Sequence, residues 1–155
     1  QKTRAEILAS IKPPDTPTAW SRLGEQYALI GARAEAERSF LRAIASSDAP
    51  QFKVSYAEYL RQNGQTDRAA RYYLEALQDE PGAVEALNGI GRIYLERGLF
   101  DEALTAFARA AAANPDDYTA NFFLAQTYDR LGQPAEAAPY RDRASQIVPD
   151  LVEPP

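Results

Sequence analysis

The 155-residue chain has no cysteine, no histidine and no methionine, and only one tryptophan. Without cysteine there is no disulfide framework and no thiolate metal site, whichever redox compartment holds the protein. Without histidine it lacks the side chain most used for proton transfer near neutral pH and the commonest metal ligand. Nucleophilic catalysis would fall to Ser, Thr or Lys with no histidine base. No run approaches the roughly 18 apolar residues of a membrane span, and no signal-peptide core is present. No membrane insertion is expected in this segment. Basic blocks are also missing. Seventeen Lys and Arg face 22 Asp and Glu, for a net charge of −5, and they are scattered singly. Nucleic acid needs clustered positive charge, so no nucleic-acid partner is expected. The chain opens on Gln1 without a methionine, which fits a processed protein or a piece of a longer one. Abundant Ala and Arg lean towards a bacterial source.

What is present is a repeat. The stretch from Val84 to Pro115 has small and apolar residues at helical spacing: Leu87, Ile90, Gly91 and Tyr94, then Ala103, Phe107 and Ala110. Such spacing places one apolar stripe on each of two short helices. Gly98 separates the runs and Pro115 closes the unit. The pattern recurs. Ala36, Phe40 and Ala43 match Ala69, Tyr73 and Ala76, which match Ala103, Phe107 and Ala110. A fourth unit offers Ala137 and Ala144, with Arg141 where the aromatic should stand; successive offsets are 33, 34 and 34 residues. Turn glycines keep step at Gly31, Gly64, Gly98 and Gly132, and closing prolines at Pro81, Pro115 and Pro149. A fixed period of this length marks stacked supersecondary units.

Trp20, Leu23, Gly24 and Tyr27, followed by Ala36 and Phe40, resemble the tetratricopeptide repeat, whose pattern is W-x2-L-G-x2-Y, then A-x3-F, then P. The resemblance covers about residues 17–150. It implies an all-α fold, a right-handed α-solenoid of four stacked helix-turn-helix hairpins. The units are expected at about 17–49, 50–83, 84–117 and 118–151. Residues 1–16 are expected to form a short N-terminal helix and Pro-rich linker, and 151–155 an extended tail. Thr3 and Glu6 read as a capping box, followed by the apolar face Ile7, Leu8 and Ile11. Pro13-Pro14 ends that helix. So short a helix needs packing to persist, and docking on the first repeat is the expectation.

Other features have structural readings. Phe52, Tyr56, Tyr59, Tyr72 and Tyr73 suit core and inter-repeat packing, with Tyr59 the candidate for an aromatic platform. Gly89 and Gly91 form a lone G-x-G without the strand and third glycine of a phosphate loop, so they are expected to let helices approach closely. The carboxylate pairs Asp101-Glu102 and Asp116-Asp117 fall at helix starts, where they complement the macrodipole. Pro134 can open the last helix, while Pro139, one turn in, should bend or loosen it. Arg141, Asp142 and Arg143 fit the polar outer face of a terminal repeat. No catalytic constellation is found, so neither an enzyme nor a cofactor is expected.

A stack of this kind presents a concave surface. The resemblance implies that it is lined by the first helix of each hairpin, at the second, fifth, ninth, twelfth and thirteenth positions. The fifth positions are Ser21, Val54, Asn88 and Phe122; the ninth are Glu25, Glu58, Arg92 and Gln126; Leu29 and Leu95 lie further along. Val54, Glu58, Asn88, Arg92, Leu95, Phe122 and Gln126 are the expected groove residues. Val54, Leu95 and Phe122 would give an open apolar stripe of the kind that marks a partner site. Asn88 and Arg92 would hold a carboxylate or carbonyl of the ligand. Glu25 and Glu58 argue against a clamp for an acidic chain terminus. The function expected is a non-enzymatic adaptor that holds a partner's peptide or amphipathic helix. The alternative is a self-assembly module, forming a homo-oligomer through the N-terminal helix or an array end.

Overall fold

The computed structural model describes residues 15–149, together with Thr3 and Glu6. Eight helices follow one another among the described residues: α1 (Pro17–Leu29), α2 (Arg33–Ser46), α3 (Pro50–Gln62), α4 (Thr66–Asp79), α5 (Val84–Glu96), α6 (Phe100–Ala113), α7 (Tyr118–Arg130) and α8 (Pro134–Ile147). They pair as four antiparallel hairpins in sequence order. Each second helix also packs on the next first helix. First helices pack on first helices along the stack, whereas the backbones of the second helices stay further apart, with the Arg68–Glu37 ion pair reaching from α4 to α2. The array is therefore tighter along the first helices, and these line its inner side.

Each turn has the same backbone logic. Gly31, Gly64, Gly98 and Gly132 lie at φ of 70, 75, 73 and 73°, a left-handed conformation in which only glycine avoids a steric penalty. Pro17, Pro50 and Pro134 sit in the first helical turn, where a missing amide proton costs no helix bond. Thr16 caps α1 by accepting from the Ala19 amide at 3.2 Å, and Asp117 caps α7 by accepting from Ala120 at 2.7 Å. Asp101 and Glu102 occupy the first turn of α6.

The repeated residues form the core. Ala36, Ala69, Ala103 and Ala137 are fully buried at one level, and Phe40, Tyr73 and Phe107 are buried at the next. Small residues let the helices close and the rings fill the space between. The close approach is sharpest at α5. A Cβ on Gly89 would stand 2.2 Å from the Tyr73 ring, and one on Gly91 would stand 2.7 Å from the Phe107 ring. The G-x-G is a packing device, and Tyr73 and Phe107 reach across the helix through it. Burying each large apolar side chain contributes about 1.5–3 kcal/mol. Tyr59 is only 7% exposed and packs against Phe40 and Tyr56, with ring centroids 5.2 and 6.3 Å apart. It is a core residue before it is a platform.

The last hairpin keeps its shape without the repeated aromatic. Helix α8 runs unbroken through Pro139, which lies at an exposed position. Arg141 extends over the end of the array and donates to both carboxylate oxygens of Asp129, at 2.8 and 2.6 Å. The neighbouring Tyr140 stacks on Tyr128 with centroids 5.8 Å apart. At the other end, Thr3 and Glu6 form the reciprocal capping box: Thr3 N–H donates to Glu6 Oε2 at 2.6 Å, and Glu6 N–H to Thr3 Oγ1 at 3.3 Å. The expected packing of Ile7, Leu8 and Ile11, and the expected tail over 151–155, lie outside the described residues.

Candidate functional site

A groove of about 790 Å³ lies on the inner side. Helix α1 supplies Glu25, Ala28 and Leu29 to its lining, and α3 supplies Val54, Ser55, Glu58, Tyr59 and Gln62. Helix α5 supplies Glu85, Asn88, Gly89 and Arg92, with Asp117 and Thr119 closing the α7 side. Four of the residues expected from the sequence, Val54, Glu58, Asn88 and Arg92, thus share one wall.

The other three lie elsewhere. Leu95 and Gln126 line a smaller cleft of about 260 Å³ with Arg92, Glu96, Phe123 and Arg130. Leu95 itself is 7% exposed, in a cluster with Phe107, Phe123 and Leu124. The next hairpin covers it, so it does not extend an open stripe. Phe122 lines a third cleft of about 330 Å³ at the end of the array, with Tyr118, Gln126, Asp129 and Arg141. It is half-buried, edge-on to Phe123 at 5.2 Å. The open apolar residue of the main groove is instead Leu29, 87% exposed.

Two side chains expected to contact a ligand have structural partners. Glu58 accepts from Arg61 Nη2 at 2.6 Å and Nε at 3.1 Å, from Tyr73 Oη at 2.6 Å and from Gln62 at 3.0 Å. Burial pushes the Glu58 carboxyl up, but these hydrogen bonds and the Arg61 charge outweigh it and hold the pKa down to about 2. Burial also raises the Tyr73 phenol, and the Glu58 charge adds to that. Glu58 is therefore a fixed anion that ties α3 to α4. Arg92 lies over the Phe123 ring, 5.1 Å from its centroid. Burial, and then the Arg61 charge, lower its guanidinium from the ordinary value.

Asn88 also has a partner within the protein. Its amide nitrogen donates to Asp117 Oδ2 at 2.7 Å, so one of its two N–H groups is engaged by a carboxylate of the protein itself. Asp117 binds that amide and caps α7 with the same oxygen. The Asn88 amide oxygen is buried and has no partner.

Sequence reasoning left out Glu85, Asp117, Ser55 and Thr119. Glu85 and Thr119 stand at the second position of their units, one of the groove positions the resemblance implied, and that register was the available signal. Asp117 reads in sequence as a helix-start charge. Its second role needs Asn88 beside it, 29 residues away. At this end of the groove an adjoining cleft of about 540 Å³ shares Val54, Ser55, Glu85 and Asp117 and adds Glu80. No basic residue lines that cleft. Among the described residues there is no cluster that could hold a metal ion, and no helix is long and apolar enough to cross a membrane.

A sequence model described as tetratricopeptide repeat matches residues 57–112 and 90–151. The chain belongs to the tetratricopeptide repeat family. Among curated proteins it is 25% identical over 137 residues to anaphase-promoting complex subunit 3 of Schizosaccharomyces pombe, covering 86% of this chain and 20% of that protein. It is 32% identical over 66 residues to superkiller protein 3 of the same organism, covering 43% of this chain and 5% of that protein. The chain thus spans no more than a fifth of the length of these relatives. Among solved structures, YrrB, described as a tetratricopeptide repeat protein with an unusual peptide-binding site, superposes with a TM-score of 0.69 at 24% identity. That match covers 86% of this chain and 70% of YrrB. PilF of Pseudomonas aeruginosa superposes with a TM-score of 0.77 at 18% identity, covering 87% and 62%. These likenesses show the fold, a tetratricopeptide solenoid of a kind that commonly scaffolds protein–protein interaction.

Proposed function

We propose that this tetratricopeptide array is a non-enzymatic interaction module that holds a peptide or amphipathic helix of a partner protein against the first helices. The observation that carries the reading is the groove itself, about 790 Å³ and built from three consecutive first helices with a polar cap from α7. Its lining mixes apolar anchors, Leu29, Ala28 and Val54, with a few polar groups, the composition expected of a ligand site. Val54, Glu58, Asn88 and Arg92 form the central wall, with Glu58 acting as scaffold for that wall. Leu95 and Gln126 supply the adjoining cleft, and Phe122 an extension at the array end.

The test is selection of a displayed random-peptide library on the wild-type domain, then affinity by fluorescence anisotropy with wild type and a Val54→Ala, Arg92→Ala variant. Truncating central contacts typically costs about 2 kcal/mol each, so the variant should bind at least about thirtyfold more weakly while its circular dichroism is unchanged. Peptides that bind both proteins equally would place the working surface outside the groove. Concentration-dependent mass in sedimentation, with no peptide selected, would favour the self-assembly alternative.

A further inference from the structure

The last hairpin makes a seat of the kind in which the earlier hairpins hold the next first helix. The cleft there, about 330 Å³, has Phe122, Gln126, Asp129, Arg141 and Ala144 in its lining. One repeat earlier, at an offset of 34 residues, the same positions hold Asn88, Arg92, Leu95, Phe107 and Ala110. All five meet α7. Asn88 bonds to Asp117, and Arg92 lies over the Phe123 ring. Leu95 and Phe107 cluster with Phe123 and Leu124, and Ala110 clusters with Ala120. By register, the end cleft is therefore the place where chain following α8 would pack.

The backbone aims the chain into it. Helices α4 and α6 end at Glu80 (φ −136°, ψ 92°) and Asn114 (φ −139°, ψ 97°). Four residues later the next first helix begins, at Val84 and Tyr118. Helix α8 ends at Val148 with φ −138° and ψ 93°, the same exit. Peptide units are planar, so equal φ and ψ send the chain off in the same direction. Pro81, Pro115 and Pro149 follow the three exits, which puts Leu151 in register with Ala83 and Asp117. The side chains at this joint change together. Val54 and Ala83 line one cleft. One repeat on, Asn88 donates to Asp117. One further repeat on, the two positions hold Phe122 and Leu151. The pair is apolar, then polar, then apolar again. Deeper in the seat, Leu95 and Phe107 give way to Asp129 and Arg141, which bond to each other. Only the side next to the exit of α8 stays apolar, which suits a short segment better than a whole amphipathic helix.

We infer that residues 151–155 of this chain cover the apolar side of the end cleft, with Leu151 against Phe122 and Pro154 against Ala144, and so cap the array. Pro154 enters by the same register, as the counterpart of Ala120, which is fully buried. Such a cap hides the apolar surface that a terminal repeat otherwise presents. It leaves the main groove as described, and a ligand that reaches Phe122 has first to displace Leu151.

The test is solution NMR on the isotope-labelled chain. Nuclear Overhauser contacts should join the Leu151 methyls to the Phe122 ring and the Pro154 ring to the Ala144 methyl. Mixing labelled with unlabelled chains separates contacts within one molecule from contacts between copies. Leu151→Asp should remove the contacts and speed amide exchange in the last turn of α8 at least about fivefold, with exchange in α2 unchanged. The same substitution made in a Phe122→Asn background recreates the Asn88–Asp117 pair, and there it should slow exchange instead. That reversal of sign is read against the Phe122→Asn protein, so it holds even if losing the ring loosens α7. Residues 151–155 without contacts to the array would overturn the inference, as would contacts made only between copies. An effect of Leu151→Asp with the same sign in both backgrounds would also overturn it. The peptide selection tests the groove separately, so either reading can fail without the other.

Discussion

Gly89→Ala should destabilise the array, although glycine to alanine inside a helix ordinarily stabilises by about 1 kcal/mol. The added Cβ would lie 2.2, 2.4 and 2.7 Å from Cζ, Cε1 and Cε2 of Tyr73, where ordinary contact starts at 3.4 Å. The ring must move by roughly 1 Å, and Tyr73 is 1% exposed, with no free space to enter. The atom closest to the intruder carries the hydroxyl that donates to Glu58 at 2.6 Å. Overpacking costs about 1–3 kcal/mol and a lost hydrogen bond to a charged group about 1.5–3 kcal/mol. Set against the helix gain, the net loss should be about 2–4 kcal/mol. Urea denaturation followed by far-UV circular dichroism measures it, with an accompanying fall in Tm of about 6–12 °C. Gly98→Ala is the control. Nothing lies within 4 Å of its added carbon, so its cost is only the left-handed backbone at φ 73°, about 1–2 kcal/mol. In the double variant Gly89→Ala, Tyr73→Leu the two losses should be less than additive, because the smaller side chain makes room. A stabilised Gly89→Ala, or strict additivity in the double variant, would refute the argument.

Phe107→Ala removes a fully buried ring stacked on Phe123 at 5.3 Å, and should cost about 3–5 kcal/mol in the same denaturation assay. Acid should weaken the joint between α3 and α4. The Glu58 carboxyl titrates near 2 in the folded protein against 4.5 ordinarily, so its contribution is complete above about pH 4.5 and lost as pH falls towards 2. Its side chain is 38% exposed, so screening reduces that contribution to about 1 kcal/mol. Glu58→Gln should lower stability at pH 7 and flatten that acid dependence in urea titrations.

The sequence by itself determined the architecture. Its signals are local and periodic: Ala36, Ala69 and Ala103 with Phe40, Tyr73 and Phe107 state which helix face is buried, and the turn glycines state where each hairpin reverses. Each unit packs mainly on its neighbours, so a repeating pattern carries nearly the whole fold. Position in the repeat also brought Val54, Glu58, Asn88 and Arg92 to one wall. What only the tertiary structure decided is which of these side chains remain available. Leu95 and Phe122 occupy the expected register, but Leu95 is buried against Phe107, Phe123 and Leu124, and Phe122 lines a separate cleft at the array end. Glu58 is engaged by Arg61 and by Tyr73, 15 residues away. Asn88 has one N–H engaged by Asp117, a pairing across two hairpins. Periodicity fixes the direction in which a side chain points; the neighbour it meets depends on packing between helices far apart in the chain.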